Sequence, residues 1–234
     1  MLGSRDPNHS PVSYPDSSLR DIEAWRADIL NDHRKIEVLD LGVGSKHARS
    51  PHRLISEIAR HSLSDRKYAA IYARTIAHYN ALHVLELGTS LGINALYLAA
   101  HYNTHVITLE GSPAIGAVAA DLFADMKADN ISLIMGNIDD NLQPTVAEMP
   151  RIDFAFLDAN HRHAPTLRYF DMLRPKLHAK SIVVLDDIHS SPEMQQAWRD
   201  IQKHPDVTAS ADLFRCGFVF FDPSLGRQHF VLQT

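Results

Sequence analysis

From residue 83 onward, short apolar runs alternate with helical segments in a regular order, and few architectures accommodate that order. "HVLEL" (83–87), "HVITLE" (105–110), "ISLIM" (131–135), "DFAFLD" (153–158) and "SIVVLDD" (181–187) read as strands. Between them, "INALYLAAHY", "PAIGAVAADLFADMKA", "APTLRYFDMLRPKL" and, after the last strand, "SPEMQQAWRDIQKH" read as helices, and "NLQPTVAEM" as a short helix or turn. Strands this rich in Val, Ile and Leu are covered on both faces, so the expected fold is α/β, a doubly wound and mostly parallel sheet. The chain ends differently. "GFVFF", the turn "DPSLG" and "RQHFVLQT" read as an antiparallel hairpin on one edge.

Before residue 81 the pattern is helical. Residues 17–32 place Leu19, Ile22, Trp25 and Ile29 on one face, Arg53–Arg60 form a short helix, and residues 65–79 carry a stripe of Tyr68, Ile71, Tyr72, Ile76 and Tyr79 that suits packing. The expected organisation is a loose polar tail over 1–16, an N-terminal helical or lid region over 17–80, and a core over 81–234. A chain of 234 residues, 45% hydrophobic, buries such a core without disulfides. The net charge of −5 offers no general attraction to nucleic acid or anionic membrane. The one cysteine, Cys216, sits in apolar "RCGFVFF" and reads as a buried thiol. That usage, with no signal-peptide core and no span-length apolar run, points to a cytoplasmic protein without membrane association. Fifteen histidines are present, but neither HExxH nor a Cys/His zinc spacing occurs, and His61, His78, His101 and His178 read as surface or half-buried.

Two phrases have the form of a cofactor loop: "EVLDLGVGS" (37–45) and "HVLELGTSLG" (83–92). Such a loop must join a strand to a helix, so that backbone N–H groups and the helix N-terminus face the ligand. A second strand ending in an acid should follow about 20 residues on. The second phrase meets these demands. It runs through Gly88, Thr89, Ser90 and Gly92 into a helix, and the next strand ends at Glu110, a carboxylate able to accept both hydroxyls of a ribose. The first phrase is followed by basic, proline-broken "SKHARSPHR" and reads as a turn or part of a lid over the substrate. The spacing Glu86-x-Gly88-x-x-x-Gly92 is not the G-x-G-x-x-G of pyrophosphate-binding folds, and an acid just before the loop suits an amine-bearing ligand such as S-adenosylmethionine.

"VLELGTSLGINALYLA", "VITLEGSP", "LIMGNIDDNL", "FAFLDANH" and "IVVLDDIH", in this order, resemble the class I S-adenosylmethionine-dependent methyltransferases. More narrowly, they resemble the catechol and caffeoyl-CoA O-methyltransferase group and its bacterial relatives acting on sugars and small molecules. The resemblance covers roughly 65–234. It implies a Rossmann-like sheet of seven strands with the last antiparallel, adenine packing against Gly136, Asn137 and Ile138, and pairing of subunits as homodimers.

Asp158 ends one predicted strand, and Asp186 and Asp187 end the next. Neighbouring strands lie about 4.8 Å apart, so three carboxylates would converge, and such a cluster calls for a cation or protons. All-oxygen ligation suits Mg²⁺, Mn²⁺ or Ca²⁺. Relatives that need a divalent ion carry acids and Asn or Asp at these positions. The bland alternative is that Asp158 and Asp187 cap helices or turns. In many relatives a lysine stands three residues after the first acid; here His161 does, and neutral imidazole is suited to accept a proton near pH 7. His163 and His189 are alternatives. The expected activity is divalent-metal-assisted O-methylation of a small hydroxylated acceptor bound at Asp158, Asp186 and Asp187, with His161 as base and specificity carried by 17–64 and the loops after the strands. A metal-independent N- or O-methyltransferase, a nicotinamide oxidoreductase and a non-catalytic cofactor-binding module are the competing readings.

Overall fold

The structure is a computed structural model that describes residues 16–39 and 51–233. Most of the expected tail and the glycines of the first phrase, Gly42 and Gly44, lie outside the described residues.

Strands β3 (His83–Leu87), β4 (His105–Glu110), β5 (Ile131–Met135), β6 (Phe154–Leu157) and β7 (Ile182–Leu185) form the parallel body of the sheet. They stand in the order β7-β6-β3-β4-β5. Side chains alternate faces along each strand. Leu85, Leu87, Ala155, Leu157, Val183 and Leu185 pack under α6 (Ile138–Glu148), α7 (His163–Leu173) and α8 (Pro192–Gln202). Val84, Phe154, Phe156, Ile182 and Val184 face the other way, toward Tyr72 and Ile76 of α3 (Arg66–Tyr79) and Leu98 of α4 (Ile93–Leu98). Two-sided burial is why these strands are continuous apolar runs.

The chain winds outward from β3 through β4 to β5, returns, and winds the opposite way through β6 to β7. The direction therefore reverses between β3 and β6, and in open α/β sheets ligands bind outside the strand ends at that reversal.

The C-terminal end departs from expectation in detail. Among the described residues the sheet has eight strands rather than seven, because "ASAD" forms β8 (Ala209–Asp212). β9 (Gly217–Phe220) is the antiparallel strand, lying between β7 and β8 and pairing with both. β10 (Gln228–Val231) does not fold back on β9 as a hairpin; it pairs parallel with β8 at the edge. The β8–β9 turn, residues 213–216, takes the hairpin position, and β9 lies against β7.

The N-terminal helices α1 (Asp16–Leu30) and α2 (Ile55–Ser62) have no separate core. Ile22, Ile29, Ile55, Ile58 and Ala59 pack in one cluster with Leu91, Leu96 and Tyr97 of the loop–α4 segment and Ala119, Leu122 and Phe123 of α5 (Pro113–Asp125). Tyr97 Oη donates to Glu23 Oε1 at 2.6 Å, fixing α1 to α4. A short ribbon, β1 (Lys35–Glu37) antiparallel to β2 (His52–Leu54), brackets residues 40–50. Cys216 is fully buried, and burial pushes its thiol up to about 12. Among the described residues, no helix is long and apolar enough to cross a membrane.

Candidate active site

The loop after β3 is built around a backbone that must come close to its neighbour. Gly88 has φ +95°, and a Cβ there would lie 2.2 Å from the carbonyl oxygen of Asp158. Asp158 N–H in turn donates to Leu87 C=O at 2.9 Å. The glycine loop and the first strand-end aspartate are thus adjacent across the reversal. Gly88 and Thr89 N–H both donate to Leu109 C=O, tying the loop to the end of β4 as well. Gly92, at φ +85°, starts α4 from a left-handed conformation with the Phe123 ring against it.

Glu110 closes the other side. Its Oε2 accepts from Ser90 N–H at 2.9 Å and its Oε1 from Ser112 N–H at 2.8 Å. Burial raises its affinity for a proton, while the N–H groups of Ser112, Ser90 and Gly111 oppose that. A carboxylate offers about four acceptor sites, so the three N–H groups leave one lone pair for a ligand. Ser90 Oγ also meets Ser62 Oγ at 2.8 Å, and Leu39 N–H donates to Ser112 Oγ at 3.3 Å, so both α2 and the segment after β1 abut the site.

Glu86 has another place. It is fully buried, with Oε1 accepting from Asn94 Nδ2 at 2.8 Å and Oε2 from Thr108 Oγ1 at 2.6 Å. Thr89 Oγ1 lies 2.6 Å from Thr108 Oγ1 and extends the same chain inward. Burial is the main cause that pushes the Glu86 carboxyl up to about 8, against the two hydrogen bonds. Glu86 and Thr89 brace β3, β4 and α4 beneath the loop; the expected contact of Glu86 with a ligand amine has no exposed carboxylate to make it.

At the end of β5, Gly136 N–H donates to Glu110 C=O at 2.8 Å, placing the 136–138 turn beside Glu110. Asn137 Oδ1 accepts from Asp139 N–H and caps α6, so Gly136, Asn137 and Ile138 form a turn and helix start at the flank of the site.

On the other side of the reversal, His161 Nε2 lies 3.2 Å from Asp158 Oδ1. Burial pulls the imidazole down, but the hydrogen bond and charge of Asp158, with Asp187 and Asp186 behind, push it up to about 9. The expected neutral imidazole is therefore the minor form near pH 7. Asn160 and His161 both have positive φ, as do Ser90 and Asp187 in the neighbouring loops. Strained backbone of this kind persists where surrounding structure enforces it, and it often marks a functional site. Asn160 Nδ2 donates to Tyr169 Oη at 3.2 Å, and Tyr169 Oη donates to Asp139 Oδ1 at 2.6 Å, so α7 holds the loop after β6 to the start of α6.

The remaining candidates divide. Asp186 is buried, one strand over from Asp158, and its N–H donates to Leu157 C=O. Burial first, then the charge of Asp158, pushes its carboxyl up to about 8. Asp187 is half-buried in a left-handed turn, with Ser190 N–H donating to its carbonyl at 3.0 Å. The three aspartates share the sheet edge, yet among the described residues no three His, Cys, Asp or Glu side chains converge as a ligand set for one metal ion. A residue missed in the sequence stands there instead: Arg215, in the β8–β9 turn, with Nη2 3.6 Å from Asp186 Oδ2. Its guanidinium sets a fixed positive charge beside the expected metal trio of Asp158, Asp186 and Asp187, a charge that opposes a divalent ion there. His163 and His189 are engaged elsewhere. His163 Nε2 pairs with Asp200 at 2.8 Å. His189 Nε2 pairs with Asp212 at 2.8 Å and lines a cavity of about 260 Å³ with Trp198 and Gln202 of α8.

The reversal between β3 and β6, with a glycine loop, a flanking acid after β4 and an acid–histidine pair after β6, defines a class I methyltransferase fold. Residues 85–188 match a family model described as a methyltransferase domain. The structure is similar to the O-methyltransferase of Bacillus cereus solved with S-adenosylhomocysteine (TM-score 0.63, 16% identity, 89% of this chain and 93% of that one). It is also similar to a methyltransferase from Podospora anserina bound to S-adenosylhomocysteine (0.61, 16%, 94% and 99%). A third likeness is to the Streptomyces achromogenes O-methyltransferase involved in tomaymycin synthesis, solved with S-adenosylmethionine (0.58, 18%, 68% and 81%). No protein of curated function matches the sequence.

Proposed function

We propose that the protein transfers a methyl group from S-adenosylmethionine to a hydroxyl of a small acceptor. The observation that carries this reading is the single row formed by the Glu110 carboxylate, the Gly88 loop and the Asp158–His161 pair along one sheet edge. The residues fit the cofactor. Gly88 leaves space that any Cβ would fill, and Glu110 keeps a lone pair for a ribose hydroxyl. When bound, the cofactor supplies an electrophilic methyl carbon and a neutral leaving group, so the protein has to place and deprotonate the nucleophile. Ser90 and Ser112 N–H hold Glu110 in position for the ribose. Asp158 holds the His161 imidazole through Nε2–H, and the neutral fraction of His161 takes the hydroxyl proton at Nδ1. Because that fraction grows with pH up to about 9, turnover rises over the same range.

Calorimetry with S-adenosylhomocysteine tests the cofactor half of the reading. One site per chain is expected, weakened about 10- to 100-fold in Glu110→Ala by loss of hydrogen bonds to a charged group. Binding of NADH with no response to S-adenosylhomocysteine would overturn the reading in favour of an oxidoreductase.

A further inference from the structure

The acid cluster at the ends of β6 and β7 is neutralised by the chain itself. Asp158 has His161 at 3.2 Å, and Asp186 has Arg215 at 3.6 Å. Asp187 and Asp158, like Asp186, also favour the positive charge of Arg215. It is anchored from the backbone side: Ile188 N–H donates to its carbonyl at 3.3 Å, and its own N–H donates to Leu213 C=O at 2.9 Å. The neighbouring Phe214 takes φ +68°, the sharp turn that brings Arg215 back toward β7. The pair is not saturated. Among the described residues, Asp186 Oδ1 and Arg215 Nε are both buried without a hydrogen-bond partner. A guanidinium and a carboxylate that approach but leave these two atoms open are set to receive one more polar group between them.

We propose that Arg215 occupies the place of a divalent cation in the acceptor pocket, making it a metal-free site in which the guanidinium receives the acceptor oxygen. This rests on the proposal that the acceptor binds over Asp158 and His161. The physical case has two parts. A hard divalent ion needs several oxygen ligands free to converge, and here two of the three carboxylates are already turned to fixed partners. An arginine remains charged at any working pH, so it would confront an incoming cation at close range, whereas it attracts an oxyanion forming on the acceptor. No proton or electron needs a further acceptor: the hydroxyl proton goes to His161, the oxygen–carbon bond forms, and the carbon–sulfur bond breaks with its electron pair kept by sulfur.

The test uses Mn²⁺ as the probe, followed by electron paramagnetic resonance on the full chain saturated with S-adenosylhomocysteine. Wild type is expected to leave the free Mn²⁺ signal unchanged. Arg215→Ala, which vacates the position, is expected to bind Mn²⁺ at least about tenfold tighter than wild type, and adding Asp186→Asn should abolish that gain. Stoichiometric Mn²⁺ binding by wild type, lost in Asp158→Asn, overturns the proposal without needing any Arg215 variant to fold. A folded Arg215→Ala that takes up no Mn²⁺ overturns it too, since the vacated position is then no cation site. Arg215→Gln provides a second vacated variant if Arg215→Ala does not fold. S-adenosylhomocysteine binding, measured on the same samples, reports separately on the methyltransferase reading.

Discussion

Replacing Glu86 with glutamine separates a buried brace from a ligand contact. The carboxyl is fully buried and is raised from 4.5 to about 8, mainly by burial. The folded state therefore holds a proton that the unfolded chain releases. The sign follows: stability contributed by the protonated group is complete below about pH 4.5 and is lost as pH rises through about 8. The full span corresponds to about 5 kcal/mol at 1.36 kcal/mol per pH unit, and the portion falling between about pH 6 and about pH 9 is about 3 kcal/mol. Glutamine does not titrate, so the variant should not show this loss. It also keeps the local hydrogen bonds. Its Oε1 accepts from Asn94, its Nε2 donates to Thr108 Oγ1, and the Thr108 hydroxyl turns to donate to Thr89 Oγ1, which is already 2.6 Å away.

Urea unfolding of wild type and Glu86→Gln at a series of pH values reads this directly. All other titrations are common to the two proteins and cancel in the difference. With a slope near 3 kcal/mol per molar urea, the wild-type midpoint should fall relative to the variant by about 1 M between about pH 6 and about pH 9. Affinity for S-adenosylhomocysteine should stay close to wild type, because Glu86 offers no exposed surface to a ligand. Parallel stability curves would refute the buried-acid argument. An unchanged stability difference joined to a large loss of affinity would return Glu86 to the ligand.

Gly88→Ala should abolish S-adenosylhomocysteine binding and lower the melting temperature, since a Cβ would lie 2.2 Å from the Asp158 carbonyl at φ +95°; scanning calorimetry reads both. In histidine-detected NMR, His161 should titrate near 9 in wild type and fall by at least about one unit in Asp158→Asn, which removes the charge beside it. With an acceptor in hand, kcat/KM should climb about tenfold per pH unit below that value and level above it, and a flat profile over that range would remove His161 as the base. Tyr169→Phe cuts the link from Asn160 to Asp139 and should loosen the 160–161 loop, seen as faster amide exchange there, with a stability loss of about 1 kcal/mol.

The centre of the parallel sheet was legible because β3, β6 and β7 are buried on both faces. Only Glu86 interrupts the apolar run of "VLEL", nothing polar interrupts "IVVL", and each strand runs within two residues of its expected bounds. The cofactor side was legible for a related reason: a close approach of backbone demands glycine at 88, and a ribose demands an acid after the next strand. The C-terminal edge was not. "ASAD" has neither bulk nor alternation, and it is a strand only because β9 and β10 flank it. Period-2 patterning shows which residues favour a strand but not which strand they choose, so "GFVFF" and "RQHFVLQT" were paired with each other for want of a third candidate.

That same edge explains why the cation beside the acid cluster was not legible in the sequence. Seen along the chain, Asp158, Asp186 and Asp187 are three like charges with no cation nearby, and an external ion is the economical way to hold them. Arg215 lies 28 positions beyond Asp187 and is brought alongside only by the tight β8–β9 turn. Had the chain closed with the expected hairpin, nothing would have required residues 213–216 to turn back against β7, and the carboxylates would have stood without it. The charge balance at these strand ends is thus a consequence of strand order: placing β9 against β7 delivers a fixed cation to the carboxyl ends of β6 and β7. A chain of the same fold without an arginine in this turn would leave the same three acids uncompensated. Exchanging the residue at 215 should therefore move such proteins between metal-free and metal-requiring chemistry more readily than any change among the aspartates.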